Sequence, residues 1–306
     1  MRLIVASSSL VAKPLVESLK ANNLHNFIGL ITNPDKPVGR GQKMEPNSLA
    51  VWAESLNLQI FKPSNKLELN EILNELSPDL VVTIAYGSLV HKDLLSRPKY
   101  GWINVHFSKL PKWRGAAPVQ WTILSGEDKI GLSIFKLDEG MDTGPVYTSC
   151  EFDLVENDTT EDVLQFLSFE AIQQVMQALQ LIEMNVIPTP QSDQGISHAK
   201  KFFKNDGRID WNTSAFNIVN LYRAIAHDPG VWSILDGKRL RFHSLRISDI
   251  KINLSPGEIL IVDEKLYVGA QSGVIEILQL TPAGRSQMTA AEFIRGLTSR
   301  TGLHLG

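Results

Sequence analysis

The chain has 306 residues, of which 43% are hydrophobic and 21% are charged, and its formal net charge is −3. These proportions are typical of a globular protein, and the length suits one large domain or two smaller ones. They argue against a protein coated in positive charge, no apolar run approaches membrane-spanning length, and the single Cys150 rules out an intrachain disulfide framework. We therefore expect a cytoplasmic protein without a signal peptide.

Short apolar runs alternate with amphipathic stretches over the first half of the chain. We predict buried strands at residues 2–6, 27–32 and 80–85, and helices at residues 14–21 and 47–56. Alternation of strands and helices indicates an α/β fold with a doubly wound, Rossmann-like sheet. The turn after the first strand is rich in serine and lacks the Gly-x-Gly-x-x-Gly pattern of dinucleotide-binding proteins.

Residues 33–47 are predicted to form a loop that is long for an α/β connection. The segment contains Lys36, Arg40 and Lys43 between glycines and prolines. Long loops inside compact domains tend to be functional, but a solvated surface loop would have the same composition. The residues alone therefore leave both interpretations open.

Residues 101–118 contain the most informative pattern of the sequence. Asn104 and His106 are two positions apart at the end of a predicted strand, so their side chains lie on one face. An amide donor beside an imidazole suits a site that holds a developing oxyanion and moves a proton. Asp142, in a glycine-rich turn at residues 137–144, is a carboxylate that could be aimed at His106. Each of these residues taken singly is more often structural than catalytic.

The second half of the chain begins with predicted strands at residues 130–136 and 145–152, followed by a long amphipathic helix that begins near Thr159. After residue 188 the pattern changes from alternating strands and helices to mainly short strands. Beyond a Pro- and Gly-containing stretch, several short strands with regular turns suggest a small barrel. Residues 201–306 have 13 Lys and Arg against 10 Asp and Glu, a net charge of +3, whereas residues 1–200 have a net charge of −6. A positive C-terminal part would permit contact with nucleic acid, but a net charge of +3 is also within the ordinary scatter of protein segments.

The combined motifs resemble those of the formyltetrahydrofolate-dependent formyltransferases. The matching positions, in chain order, are Asn104, His106, Ser108, Leu110, Pro111, residues 114–118 (Arg-Gly-Ala-Ala-Pro), Asp138, Gly140 and residues 142–144 (Asp-Thr-Gly). Within this family, the amino-acid sequence of the motifs is most similar to that of the members that formylate the methionine carried by initiator tRNA. The resemblance extends over nearly the whole chain, but only residues 101–144 are highly specific.

This resemblance implies a co-substrate, a partner and a set of site residues. The co-substrate would be 10-formyltetrahydrofolate, with no metal, and the partner would be charged initiator tRNA, bound by a monomer. The implied catalytic residues are Asn104, His106 and Asp142. The implied folate-binding residues are Tyr86, Gly87, Ser108, Lys109, Leu110 and Pro111. The implied tRNA-binding residues are Lys36, Arg40 and Lys43.

The same resemblance implies a division of the chain. Residues 1–188 would form the formyltransferase catalytic domain, residues 189–206 a linker, and residues 207–306 an oligonucleotide-binding-like β-barrel that binds tRNA. Two alternatives remain: a formyltransferase that acts on a nucleotide amino sugar, and a non-enzymatic tRNA- or folate-binding module. The shorter purine-pathway formyltransferase would not explain residues 207–306.

Overall fold

The computed structural model of the protein describes residues 1–22, 24–39 and 41–306. These residues fall into two units. The first consists of Met1–Pro118, Lys129–Asp153 and Leu164–Ala199, and the second consists of Val119–Asp128, Leu154–Val163 and Lys200–Gly306. Within the described ranges, no helix combines the length and the apolar character that crossing a bilayer requires.

The secondary structure alternates between strands and helices up to the long helix α6 and is mainly β thereafter. The strands are β1 (Arg2–Ala6), β2 (Asn26–Ile31), β3 (Lys36–Val38), β4 (Lys43–Glu45), β5 (Ile60–Phe61), β6 (Leu80–Ile84), β7 (Trp102–His106), β8 (Arg114–Gly115), β9 (Lys129–Lys136), β10 (Val146–Asp153), β11 (His198–Ala199), β12 (Val231–Leu235), β13 (Lys238–Ser248), β14 (Ile259–Val262), β15 (Lys265–Gly269), β16 (Val274–Pro282) and β17 (Met288–Thr289). The helices are α1 (Lys13–Ala21), α2 (Ser48–Ser55), α3 (Lys66–Leu76), α4 (Lys92–Leu95), α5 (Pro118–Leu124), α6 (Thr160–Glu183), α7 (Ala215–Ile225) and α8 (Ala290–Arg295).

A seven-stranded sheet in the order β10-β9-β7-β6-β1-β2-β5 organises the first unit. The strands from β5 to β7 are parallel, while β9 and β10 are antiparallel to their neighbours. The predicted Rossmann-like sheet is thus confirmed, with an antiparallel edge. The chain moves outward from β1 in one direction through β2 and β5, and in the other through β6 and β7. Such a reversal leaves a crevice at the carboxyl ends of the central strands.

Two stretches of the first unit differ from the sequence prediction or lie outside it. Residues 33–47, predicted as a loop, contain the antiparallel hairpin β3–β4. All six of its strand residues are exposed, so no alternation of buried and exposed positions marks the strands in the sequence. Helix α3, for which the sequence analysis makes no prediction, begins after Asn65, whose side chain accepts hydrogen bonds from the backbone N–H groups of Leu67 and Glu68.

An antiparallel sheet in the order β12-β13-β16-β15-β14 forms the second unit, with β17 paired to β16. The last residues of the chain close this sheet into a barrel: Ile259 N–H donates to Leu303 O, and Gly306 N–H donates to Ile234 O, so the terminal segment bonds both edges. The core includes the fully buried Phe242. The sequence prediction of an antiparallel C-terminal part built of short strands is therefore confirmed.

Candidate active site

Asn104 lies on β7, the strand that follows the central β6 in the sheet. Its Cα pairs with that of Thr83 on β6. The Thr83 hydroxyl is 2.6 Å from Asn104 Oδ1 and 3.1 Å from Ile103 O. Because the hydroxyl donates to Oδ1, it takes up the amide oxygen and leaves Nδ2 as the donor of this side chain. The half-buried Asn104 can therefore offer an oriented N–H group near the carboxyl end of β7.

His106 ends β7, and its side chain is 5% exposed. Its Nε2 lies 2.9 Å from Trp113 O, so this nitrogen carries the proton and donates it to the carbonyl. The other nitrogen, Nδ1, lies 3.7 Å from Asp142 Oδ2. The ring also meets Phe135 edge-on at 6.2 Å between centroids. Burial lowers the pKa of His106, while Asp142 and the Trp113 carbonyl oppose that shift. The resting imidazole is thus neutral, with Nδ1 as its open nitrogen.

Asp142 reaches His106 from the turn between β9 and β10. Its Oδ2 accepts a 2.8 Å hydrogen bond from Gly115 N–H, and its side chain is 16% exposed. The residue has a positive φ of 55°, a conformation that few residues other than glycine adopt. In the same turn, Asp138 Oδ1 accepts from Gly140 N–H and from the Thr143 hydroxyl. The turn therefore holds the Asp142 carboxylate beside the histidine, as the sequence analysis predicts it could.

The segment that contacts both His106 and Asp142 is itself held by a strand from later in the chain. Strand β8 supplies Gly115, follows Trp113 directly, and pairs in parallel with β11. Gly115 has a φ of 127°, and a Cβ at this position would lie 2.6 Å from Ala199 O. Only glycine permits this approach of the two backbones. Residues 198–199, which fall in the predicted linker, thereby help to shape the region of the candidate site.

The residues assigned to folate by resemblance lie in two places at the same edge of the sheet. Ser108 and Leu110 are buried, and Ser133 Oγ donates to Ser108 O and accepts from Leu110 N–H. Lys109 is exposed and forms an ion pair with Glu151. Pro111 follows Leu110 and is partly buried. Residues 108–111 thus form a well-braced turn directly after the strand that carries His106.

The second predicted folate segment follows β6. Tyr86 is buried, and it packs in the hydrophobic core of the first unit. Its carbonyl accepts hydrogen bonds from Ser8 Oγ and Asn33 Nδ2, each 3.0 Å long. Gly87 follows in a left-handed conformation with a φ of 71°. The loops after β1, β2 and β6 are therefore joined at the point where the sheet reverses direction.

The predicted tRNA-binding residues belong to the hairpin β3–β4. Lys36 and Lys43 are exposed, and their Cα atoms pair with those of Glu45 and Val38 respectively. Arg40 lies outside the residues that the structure describes. The described Lys36 and Lys43 are thus solvent-exposed on the hairpin.

Two further side chains organise the site without having been identified from the sequence. Thr83 orients Asn104, as described above. Gln191 bonds both Arg114 and the backbone of the Asp142 turn. Thr83 stands in an apolar strand, where a hydroxyl is a weak signal, and Gln191 is 49 positions from Asp142. Within the described residues, no group of three or more His, Cys, Asp or Glu side chains is arranged to hold a metal ion.

Comparison with known proteins identifies the family. The formyl transferase profile matches residues 1–179, and the profile of the formyl transferase C-terminal domain matches residues 201–298. Methionyl-tRNA formyltransferase of Cutibacterium acnes is 36% identical over 314 residues, and the alignment covers 100% of both chains.

Two solved structures share the fold. Methionyl-tRNA formyltransferase of Clostridium thermocellum superposes with a TM-score of 0.61 at 18% identity, covering 83% of this chain and 97% of that chain. HypX of Aquifex aeolicus, in complex with tetrahydrofolic acid, superposes with a TM-score of 0.71 at 18% identity, covering 97% of this chain and 48% of that chain. At these identities the superpositions establish the fold alone. Because both family profiles match and the first relative aligns over its full length, the chain belongs to the formyltransferase family.

Proposed function

We propose that this chain transfers the formyl group of 10-formyltetrahydrofolate to the α-amine of methionine esterified to initiator tRNA. The observation that carries the proposal is the convergence of Asn104, His106 and Asp142 near the carboxyl end of the inner strand β7. This convergence occurs in a chain that aligns from end to end with a relative named for that reaction.

The reaction begins with attack of the amine on the formyl carbon. An α-amine has a pKa of about 8, so a useful fraction is neutral and nucleophilic near pH 7. A C–N bond forms, and the electron pair of the formyl C=O moves onto oxygen. Asn104 Nδ2, which Thr83 leaves free to donate, stabilises that oxyanion.

The proton on the attacking nitrogen must then reach the departing nitrogen of the folate. We assign this transfer to the pair formed by His106 Nδ1 and Asp142, which are 3.7 Å apart. The pair accepts the proton from the amine, directly or through water, and returns it to N10 of tetrahydrofolate as the C–N10 bond breaks. When Nδ1 is protonated, the resulting imidazolium lies between Asp142 and the Trp113 carbonyl, and both stabilise its charge. The products are the formylated amine and tetrahydrofolate, and these steps need no metal ion.

Folate would bind along the crevice at the carboxyl ends of β6 and β7. The turn at Ser108, Lys109, Leu110 and Pro111 would form one side of this site, and Tyr86 with Gly87 would form the other through their backbone. Support comes from the hydrogen bonds that make both segments rigid, since preformed sites lose little entropy on binding.

Transfer RNA would be bound by two groups of cations. The hairpin residues Lys36 and Lys43, with Arg40, would hold the acceptor end. In the second unit, the Arg239 guanidinium lies 3.7 Å from the centre of the Trp232 ring, and Arg208 lies 5.9 Å from it. Both arginines are exposed, and an aromatic ring among cations suits a nucleic-acid backbone.

We further propose the division of labour expected from the sequence. Residues 1–188 would act as the catalytic domain, residues 189–206 as a linker and residues 207–306 as the tRNA-binding barrel, in a monomer that works in the cytoplasm. A single chain supplies all three proposed catalytic residues, which supports activity without a second subunit.

Transfer of radiolabelled formyl from formyltetrahydrofolate to charged initiator tRNA tests the proposal. We expect the full chain to label the tRNA, with a nucleotide amino sugar neither competing nor becoming labelled. His106→Ala should abolish most of the signal, which separates the enzyme from a contaminating activity. Labelling of the sugar in place of the tRNA would replace the proposed substrate, and binding of tRNA without labelling of either would reduce the protein to a binding module.

A further inference from the structure

Gln191 uses all of its side-chain hydrogen-bonding groups to join two segments of the active site. Its Oε1 accepts from Arg114 Nε at 3.0 Å and from Arg114 Nη2 at 2.7 Å. Its Nε2 donates to Asp142 O and to Gly144 O, each at 2.8 Å. A primary amide is the group that can accept on one side and donate twice on the other.

The Asp142 turn needs such a restraint. Asp142 has a left-handed backbone, which costs conformational energy that surrounding contacts must offset. Its carbonyl and that of Gly144, two residues later, are the groups that Gln191 bonds. The amide therefore holds the turn at the strained residue itself and two residues beyond it, and limits the direction in which the Asp142 side chain can point.

Arg114, which donates to the amide oxygen of Gln191, lies between two residues that contact the proposed catalytic groups. Arg114 follows Trp113, whose carbonyl accepts from His106, and precedes Gly115, whose N–H donates to Asp142. A bond from Gln191 to Arg114 thus ties the turn of Asp142 to the segment that contacts both members of the catalytic pair.

We infer that Gln191 is a positioning residue that sets the distance between Asp142 and His106 in the formyl transfer reaction. The inference rests on the proposed function for its kinetic consequence, but the positioning itself is a property of the folded chain. Gln191 acts through its two donated hydrogen bonds to the turn, and Arg114 anchors the amide from the other side.

Two substitutions separate these contributions. Gln191→Met has nearly the same length and removes all four hydrogen bonds, whereas Gln191→Glu keeps the acceptor for Arg114 and loses both donors. Displacement of a catalytic group by about 1 Å can cost 100-fold in rate, so we expect both variants to lower kcat about 10–100-fold. The KM for 10-formyltetrahydrofolate should change by less than about twofold, because only a transition-state interaction is weakened. Gln194→Met is the matched control, since Gln194 is exposed in the same segment.

The second measurement does not depend on activity. The imidazole NMR signals of His106, assigned by their absence in His106→Gln, report its titration midpoint. Asp142 raises the pKa of His106, so a displaced Asp142 in Gln191→Met should lower that midpoint, and Gln194→Met should leave it unchanged. If the wild type transferred no formyl group, the proposed function would fall while this titration still decided the role of Gln191.

Three results would overturn the inference. One is wild-type kcat in Gln191→Glu, because it would mean that the donors to the turn are dispensable. Another is an unchanged His106 titration in Gln191→Met. The third is loss of folding in both variants, seen as loss of the cooperative thermal transition, because Gln191 would then be a general structural residue.

Discussion

Replacing Asp142 by Asn removes the negative charge from the proposed catalytic pair of Asp142 and His106 while preserving the shape of the side chain. The amide oxygen of the introduced side chain can still accept from Gly115 N–H, as the carboxylate does, so the turn should keep its conformation. Unit charges 3.7 Å apart attract by about 4.5 kcal/mol at an effective dielectric constant of ~20 and by about 1 kcal/mol in bulk water. The side chains are 5% and 16% exposed, which favours the first figure.

This energy stabilises His106 only when the ring is protonated, which the mechanism requires transiently during proton transfer. Loss of about 4 kcal/mol from that step corresponds to roughly 10³-fold in rate, and general acid–base groups typically contribute about 10²–10⁴-fold. We therefore expect Asp142→Asn to lower kcat by about 10²–10³-fold and to leave the affinity for folate nearly unchanged.

Single-turnover transfer of labelled formyl measures the chemical step, and a fluorescence titration measures folate affinity. Glu139→Gln is the control, since it removes an exposed carboxylate from the same turn and should retain wild-type rates. An Asp142→Asn rate within about fivefold of wild type would refute the reasoning, because even solvent-screened charges at this distance account for about that factor.

Three other predictions use the same assays or equilibrium unfolding. Thr83→Val frees the Asn104 amide to rotate, and the loss of one hydrogen bond of about 1 kcal/mol should lower kcat about 2–10-fold in the transfer assay; an unchanged rate would show that the hydroxyl does not orient the amide. In the unfolded chain His106 binds a proton near pH 6.5, whereas burial lowers its pKa in the folded state. The free energy of unfolding should therefore fall as the pH drops below about 6.5, and it should fall less steeply in His106→Gln. Urea unfolding at several pH values measures this dependence, and identical slopes for wild type and variant would show that His106 is not the group responsible. The double variant Lys36→Ala, Lys43→Ala should raise the KM for charged tRNA about tenfold, more so at low salt, where phosphate contacts contribute most, whereas a change in the folate KM alone would place these residues at the wrong substrate.

The features that the sequence predicted correctly depend on residues that are near one another in the chain. An Asp-Gly dipeptide is a strong hairpin signal, and Asp236 and Gly237 lie between β12 and β13 with positive φ, at 49° and 73°, as such a turn requires. The continuous apolar run at residues 80–85 predicted a buried strand, and β6 (Leu80–Ile84) is buried along its whole length. Local periodicity and turn chemistry suffice for such elements because neighbouring residues alone determine them.

The features that the sequence did not predict either depend on partners that are distant in the chain or leave no pattern of buried and exposed residues. Thr83 faces Asn104 only because β6 and β7 pair in one register, which a shift of one residue would reverse. The hairpin β3–β4 has only exposed strand residues and no burial pattern to detect.

By itself the sequence determined the α/β order of elements and the antiparallel C-terminal part, and it singled out Asn104, His106 and Asp142 as candidate chemical groups. Motif spacing carries this information, since it records which side chains leave the ends of strands. Only the tertiary structure decided which nitrogen of His106 is open, how the Asn104 amide is oriented and what holds the Asp142 turn. Those properties depend on the hydrogen bonds that Trp113 O, Thr83 and Gln191 form with His106, Asn104 and the Asp142 turn respectively. Contacts between residues that are distant in the chain leave no local pattern in the sequence.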